Sequence, residues 1–303
     1  VMRRLFLNTN QVNSLNFSFL AEHNPVFLQI ATAAEFAFAT DPNTTLIKLR
    51  QLGEAMAQHI ATVSGIAFDD QTTQADLLYK LGRELNLDYT VRHLFKTLRI
   101  EGNKATHQFK SQHQEALDVL KLARELAIWF HRAFSRQTQF TPPPFIEPSH
   151  LFDALLQSKL TAELAQQQDA YESTISALQK QLATQDETTK LQQKQTVTQQ
   201  TTRASKNLVL DEAQTRILID LQLVEAGWEA DSVALDYRQG ARPEKGKNRA
   251  IAEYPTRYQG QHGRADYVLF VGLTPIAVVE AKKENVNVAG KIPQAERYSK
   301  GLT

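Results

Sequence analysis

Between Pro148 and Gly227 the sequence contains neither glycine nor proline. A run of that kind holds no residue that breaks a helix by its own stereochemistry, and it is bounded on both sides by residues that do. It predicts a long helical middle that separates a front part of the chain from a back part. The upstream border, Thr141-Pro142-Pro143-Pro144 followed by Glu147-Pro148, stops helices, favours extended backbone and reads as a stiff linker. Within the run, Leu160, Leu164, Tyr171, Ile175, Leu178 and Leu182 fall at spacings of 4, 7, 4, 3 and 4. That is a heptad-like seam, suited to coiling against a partner segment. The seam fades after Leu191, and the Gln- and Thr-rich stretch to Thr202 reads as a flexible connector.

The front part, from Ser14 to Arg136, has apolar residues at three- and four-residue spacings. Leu46, Leu49, Gly53, Met56, Ala57 and Ile60 share one helix face, and Ala116, Leu120, Ala123, Ala127 and Phe130 share another; Asp41-Pro42-Asn43 and Gly65 mark breaks. The pattern predicts a small helical bundle. The back part begins near Leu208. Asp211-Glu212 opens an amphipathic helix with Ile217, Leu218, Leu221 and Val224 on one side, and Gly227 ends it. Strand-like segments follow at 233–237, 266–271 and 276–281. The expected fold class is multidomain, α and α/β: a helical bundle over 1–140, a Pro-rich linker with a long helix or coiled coil over 141–207, and an α/β domain over 208–303.

Several function classes drop out on composition. With 42% hydrophobic and 22% charged residues the chain is not broadly disordered. The absence of cysteine excludes disulfides, zinc thiolate sites and thiol catalysis. The opening VMRRLFLNTN has no apolar run of signal length behind it, and no segment reaches membrane-spanning length; a cytoplasmic protein with no membrane partner is expected. The net charge of +1 selects no partner, but its distribution is uneven. Between Arg238 and Arg264 seven basic residues stand against two acids. Arg242, Lys245, Lys247, Arg249 and Arg264 are therefore candidates for phosphate contacts to nucleic acid. Gly240, Pro243 and Gly246 make this stretch read as a mobile loop, and a merely solvated loop is the alternative.

The most informative segment is GRADYVLFVGLTPIAVVEAKK, residues 263–283, which reads as two strands around a turn. Alternation puts Glu280 and Lys282 on one face. If the turn has three residues, Gly272 to Thr274, then Val271 pairs with Pro275 and Asp266 stands opposite Glu280, with roughly 4.5 to 5.5 Å between Cβ atoms. An even-membered turn puts Asp266 on the other face. Opposed carboxylates destabilise a sheet unless a cation compensates them. Mg²⁺, or Mn²⁺, suits two carboxylates completed by water, and it can polarise a phosphodiester and activate a water while Lys282 orients that water or stabilises developing charge. A surface hairpin with solvated charges is the plain alternative.

The Asp266…Glu280-Ala281-Lys282 pattern resembles the PD-(D/E)xK nuclease motif, with Ala265 where the usual proline stands. The longer run from RPEKGKNRAIAEYP through GRADYVLF to VVEAKK resembles the amino-terminal nuclease region of type I restriction enzyme R subunits. Gln294-Ala295-Glu296-Arg297-Tyr298 matches the Q-x-x-x-Y element that follows the lysine in that family, and Glu212 resembles an acid that related nucleases sometimes aim at the metal, the alternative being a favourable first-turn acid at a helix N-terminus. The resemblance covers roughly residues 208 to 303. It implies a restriction-endonuclease-like domain with Asp266, Glu280, Lys282, Gln294 and Tyr298 as catalytic residues, Asp266 and Glu280 as metal ligands, and duplex DNA as substrate. It also implies methyltransferase and specificity subunits as partners. The family's ATP-driven translocase has a G-x-x-x-x-G-K-[ST] loop, which this sequence lacks, so ATP belongs to a motor outside it and the nuclease domain is expected to be incomplete at Thr303.

The front part carries a second resemblance. Arg99-Ile100-Glu101-Gly102-Asn103-Lys104-Ala105-Thr106-His107 is similar to HEPN-type helical modules, some of which are ribonucleases using an Arg and a His on one helix. Gly102-Asn103 is expected to interrupt the helix here. Two rival functions follow: a metal-free ribonuclease centred on Arg99 and His107, and a non-enzymatic assembly module that binds a partner helix through the Leu160 to Leu182 seam.

Overall fold

The computed structural model describes residues 14–107, 113–136, 139–148, 171–180, 182–258 and 261–281. The chain divides into two compact units, Val1–Leu208 and Val209–Thr303. The first is helical and the second carries a small mixed sheet. Among the described residues no helix is long and apolar enough to cross a membrane.

The helices of the first unit begin where short polar side chains can take up free backbone N–H groups. Asn24 caps α1 (Pro25–Ala37), Asp41 caps α2 (Pro42–Val63) and Thr73 caps α3 (Gln74–Glu84), with proline at the first position of α1 and α2. They are followed by α4 (Tyr89–His107) and α5 (His113–Phe134). Helix α2 packs against α1, α4 and α5, and Leu46, Leu49, Met56, Ala57 and Ile60 are all buried, as are Ala116, Leu120, Ala123, Ala127 and Phe130 on α5.

Gly102 does not interrupt α4, which runs through it to His107. The glycine serves packing instead. A Cβ there would lie 2.4 Å from Arg50 Cβ and 2.9 Å from the Leu46 carbonyl, so its absence permits the close approach of α4 to α2.

The Pro-rich stretch is extended, as its prolines require, but it lies along the bundle rather than crossing open space. The guanidinium of Arg132 donates to Phe140 O, and that of Arg124 to Pro143 O. Asn16 and Ile146 exchange two hydrogen bonds of 2.8 Å. Asn16 is held in turn by the buried Glu35, which accepts from its backbone N–H and its side-chain amide at 3.0 and 2.7 Å.

Residues 171–180 and 182–184 are helical and form α6. Tyr171 and Ile175, two members of the heptad-like seam, are buried in this same unit; the Tyr171 hydroxyl donates to Ala55 O at 2.9 Å and its ring meets Phe27 edge-on. Leu178 is exposed, and Leu160 and Leu164 lie outside the described residues. The Gln- and Thr-rich stretch is also ordered helix. It forms α7 (Glu187–Ser205), capped by Asp186 and fixed to α5 by the Trp129 indole N–H, which donates to Ser205 Oγ at 3.0 Å.

In the second unit, α8 (Glu212–Glu225) starts with a capping box between Asp211 and Gln214 and stops before Gly227, whose φ of 90° only glycine adopts freely. Strands β1 (Glu229–Ala230), β2 (Asn248–Tyr258), β3 (Gln261–Val271) and β4 (Thr274–Val279) form one sheet in the order β1-β2-β3-β4. The β1 to β2 pair is parallel and the others are antiparallel.

Three expectations are corrected here. Residues 233–237 make no strand. The Asp231 carboxylate accepts from Val233 N and Ala234 N, Asp236 Oδ1 accepts from Arg238 N, and these local bonds hold turns that leave one isolated parallel bridge, Asp236 with Ala252, in place of a ladder. The basic stretch is not one mobile loop, because Asn248–Tyr258 is β2, paired with β3 on both sides of Glu253, and Arg264 lies on β3 itself. Finally, α8 buries Leu218 of the expected face but leaves Val224 exposed, and it turns Ile219 and Leu223, which lie outside that face, toward the sheet beside Arg216 and Asp220.

Candidate active site at the β3 and β4 strand ends

The two carboxylates singled out by sequence come to the same end of the β3 to β4 pair by a route that simple counting misses. The β3 to β4 turn has two residues, Gly272 and Leu273, since Val271 pairs with Thr274 and Phe270 with Pro275. Gly272 supplies a φ of 61°, which a tight hairpin needs at this position. By alternation alone an even turn separates Asp266 from Glu280. A β-bulge intervenes: the register jumps so that Leu269 pairs with Ala277, leaving Ile276 as the extra residue. Val268 then pairs with Val278 and Tyr267 with Val279, so the next positions across the two chains are Asp266 and Glu280. Asp266 Oδ2 accepts a 2.7 Å hydrogen bond from Ala281 N. Glu280 is partly buried. Lys282, Gln294 and Tyr298 lie outside the described residues.

Two members of the site were not anticipated. Glu253 stands opposite Asp266 on β2, between the pairs Ala252 with Tyr267 and Tyr254 with Ala265. Its φ of 54° is in the left-handed region, unusual for a residue with a long side chain. Alternation breaks at this point. Ala252 and Tyr267 belong to the cluster that meets α8, whereas Tyr254 and Ala265, two positions on in each strand, belong with Ile251, Val268 and Phe270 on the other face. Glu253 and Asp266, at the break, both reach the side from which α8 sends Arg216.

The Arg216 guanidinium nitrogen Nη2 donates to Glu253 Oε1 at 2.6 Å, to Asp266 Oδ1 at 3.2 Å and to Glu212 Oε1 at 3.3 Å. Burial alone would lower the pKa of Arg216, but the Glu253 and Asp266 carboxylates outweigh it and hold the group above its ordinary value. Glu253 Oε2 accepts in addition from Arg264 at 3.4 Å. The signal in the sequence was the placement of Glu212, Arg216 and Asp220 at every fourth position, one charged line along the helix. Asp220 continues that line into the interior. Burial pushes its carboxyl up while Oδ2 accepts from Ser232 N at 2.8 Å.

Most of the basic side chains proposed for phosphate contact are already engaged. Arg242 lies 3.6 Å over the Tyr237 ring and donates to Tyr237 O and Ala241 O. Arg249 pairs with Glu229 and Glu244, Lys247 with Glu244 and Arg264 with Glu253. Lys245 is exposed. In the first unit, Arg99 and His107 sit eight residues apart on one unbroken helix, so their backbones are about 12 Å apart along its axis. The helix does not bring the pair together.

Comparison with known proteins adds the family. Residues 229–303 match the family model described as the second domain of the type I restriction enzyme EcoKI endonuclease subunit. The chain is 40% identical, over 95% of its length, to the type I restriction enzyme EcoKI endonuclease subunit of Escherichia coli (strain K12), and spans 28% of that protein. No solved structure matches.

Proposed function

The chain belongs to the type I restriction enzyme endonuclease subunit family, and from that premise we propose that its second unit is the metal-dependent nuclease of such a subunit, hydrolysing phosphodiester bonds of duplex DNA. The observation that carries this reading is the bulged β3 to β4 register, which sets Asp266 and Glu280 at adjacent positions of neighbouring strands. The EcoKI relative supports it through its name as an endonuclease subunit.

The residues present suit Mg²⁺ or Mn²⁺. Among the described residues no group of three or more His, Asp or Glu side chains converges as a full metal cage. The donors at hand are therefore two carboxylates, hard oxygen ligands in the number that Mg²⁺ commonly takes alongside waters. Asp266 keeps capacity for such a ligand, because Arg216 and Ala281 N each use one lone pair of a different oxygen. Bound there, the cation would polarise the phosphodiester and acidify a water.

Within this reading Asp266 and Glu280 hold the cation. Lys282, two residues beyond Glu280, orients the attacking water or stabilises charge on the phosphorane. Gln294 and Tyr298 complete the site from the following segment. Lys245, together with Arg242, Lys247, Arg249 and Arg264, supplies sequence-independent attraction to the DNA backbone. The methyltransferase and specificity subunits supply the target sequence, and an ATP-driven motor lies elsewhere in the full subunit.

The test is plasmid cleavage by the full-length subunit assembled with its partners in Mg²⁺ or Mn²⁺. Glu280→Ala and Lys282→Ala should each abolish cutting with assembly intact. Unchanged cutting in either variant removes this site from the mechanism.

A further inference from the structure

We propose that Arg216 is a positioning residue of the nuclease site: anchored on Glu253, it is the built-in cation that balances Asp266 while no metal is bound. The inference rests on the reading of Asp266 as a metal ligand. It starts from a cost visible in the backbone. Glu253 adopts a left-handed φ of 54°, and β2 and β3 both lose their alternation where Glu253 faces Asp266. A non-glycine residue is held in that region only when its surroundings over-determine it. The conformation also places two carboxylates side by side, an arrangement that is itself unfavourable.

Arg216 acts on both carboxylates at once, while Arg264 and Arg238 reach Glu253 Oε2. Arg216 is largely buried, with 15% of its side chain exposed, and a single nitrogen of its guanidinium contacts Glu253 at 2.6 Å and Asp266 at 3.2 Å. The asymmetry matters. The short, strong contact is to Glu253, whose side chain is 14% exposed, and the longer one is to Asp266, at 23%. Glu253 therefore retains the arginine, and Asp266 can exchange its share of that charge for a divalent cation without releasing Arg216 into solvent. Arg216 also tops the α8 stripe that reaches Tyr267, whose hydroxyl donates to the Arg216 carbonyl at 3.4 Å, so the helix sets its height above the sheet.

The consequence concerns metal affinity, which separates this role from simple fold stabilisation. Removal of Arg216 leaves Glu253 with Arg264 and Arg238, at 3.4 and 3.9 Å from its Oε2, but takes from Asp266 its buried cation, so a metal ion becomes more valuable there. Removal of the Glu253 charge lets Arg216 settle fully on Asp266, so the cation must compete harder.

The experiment is Mn²⁺ titration calorimetry on the full-length subunit, with thermal melts in chelator and in Mn²⁺, for the native protein, Arg216→Gln, Arg216→Lys, Glu253→Gln and Asp266→Asn. Arg216→Gln should melt lower in chelator, regain most of that loss in Mn²⁺, and bind Mn²⁺ several-fold more tightly. Glu253→Gln should bind it several-fold more weakly, and Arg216→Lys should restore native affinity within about threefold. Equal Mn²⁺ affinity in the native protein, Arg216→Gln and Glu253→Gln, with binding still lost in Asp266→Asn, overturns the proposal and leaves the nuclease reading standing. Mn²⁺ binding that survives Asp266→Asn overturns the metal-ligand reading itself.

Discussion

Asp266 Oδ2 accepts a 2.7 Å hydrogen bond from the backbone N–H of Ala281, across from the end of β4. The same carboxylate that is proposed to hold the cation therefore fixes the strand carrying Glu280. An N–H to a carboxylate is a charge-assisted bond, worth roughly 1.5 to 3 kcal/mol. The two roles separate by substitution. Asp266→Asn keeps one oxygen for Ala281 N but turns its amide NH2 toward Arg216, so it should melt between the native protein and Asp266→Ala, which should lose about 1 to 3 kcal/mol. Both should reduce plasmid cleavage by at least about 100-fold. Cleavage retained in the well-folded Asn variant would count against a role for Asp266 in the reaction.

Two helical glycines of the first unit should respond oppositely to alanine. At Gly102 the new methyl meets backbone, 2.9 Å from Leu46 O, and the stem of Arg50 at 2.4 Å. Neither can move without shifting α2 against α4, so Gly102→Ala should destabilise by about 1 to 3 kcal/mol. At Gly82 the contact is Arg92 Cδ at 2.9 Å, a flexible side-chain carbon that can swing away. There the higher helix propensity of alanine should prevail, and Gly82→Ala should be neutral or stabilise by up to about 1 kcal/mol. Chemical denaturation of the two variants checks the contrast. Equal effects would mean that the α2 to α4 approach is not rigid.

Acid should weaken the helical unit before the carboxylates titrate. Burial, reinforced by neighbouring His131 and His59, lowers the pKa of His23 to about 4, and burial lowers that of His59 to about 4. Both groups have folded values below the unfolded value near 6.5. Their neutral forms therefore contribute no loss above about pH 6.5. Stability then falls as pH drops toward about 4, by at most roughly 1.4 kcal/mol per pH unit per histidine. Glu35 acts with the opposite sign, because burial pushes its carboxyl up and favours the protonated folded form. Melting temperature between pH 7 and pH 5 should fall in the native protein and fall less in His59→Phe, whose ring can keep the edge contacts to Phe27 and Phe130. An identical slope in the variant would assign the acid sensitivity elsewhere.

Local rules set the parts of this protein that depend on neighbours in sequence. The helical front, its caps at Asp41 and Thr73, the buried faces of α2 and α5, and the termination of α8 at Gly227 all follow from periodicity and side chains within a turn or two. The carboxylates and lysine of the Asp266…Glu280-x-Lys282 pattern were legible for the same reason, as unusual charges in strand-like runs. Tertiary contacts decided the rest. The β-bulge at Ile276 shifted the register so that Asp266 and Glu280 each follow the last pair, Tyr267 with Val279, which a two-residue turn alone would not have done, because register answers to the packing of Val268, Phe270 and Val278 as well as to the turn. Glu253 was hidden in a stretch that reads as a charged loop, and only its partner strand, its left-handed backbone and the arrival of Arg216 from α8 reveal it as part of the site. An ion pair between residues 37 positions apart leaves no periodic trace in the sequence, since which charges meet is fixed by how a helix lies on a sheet.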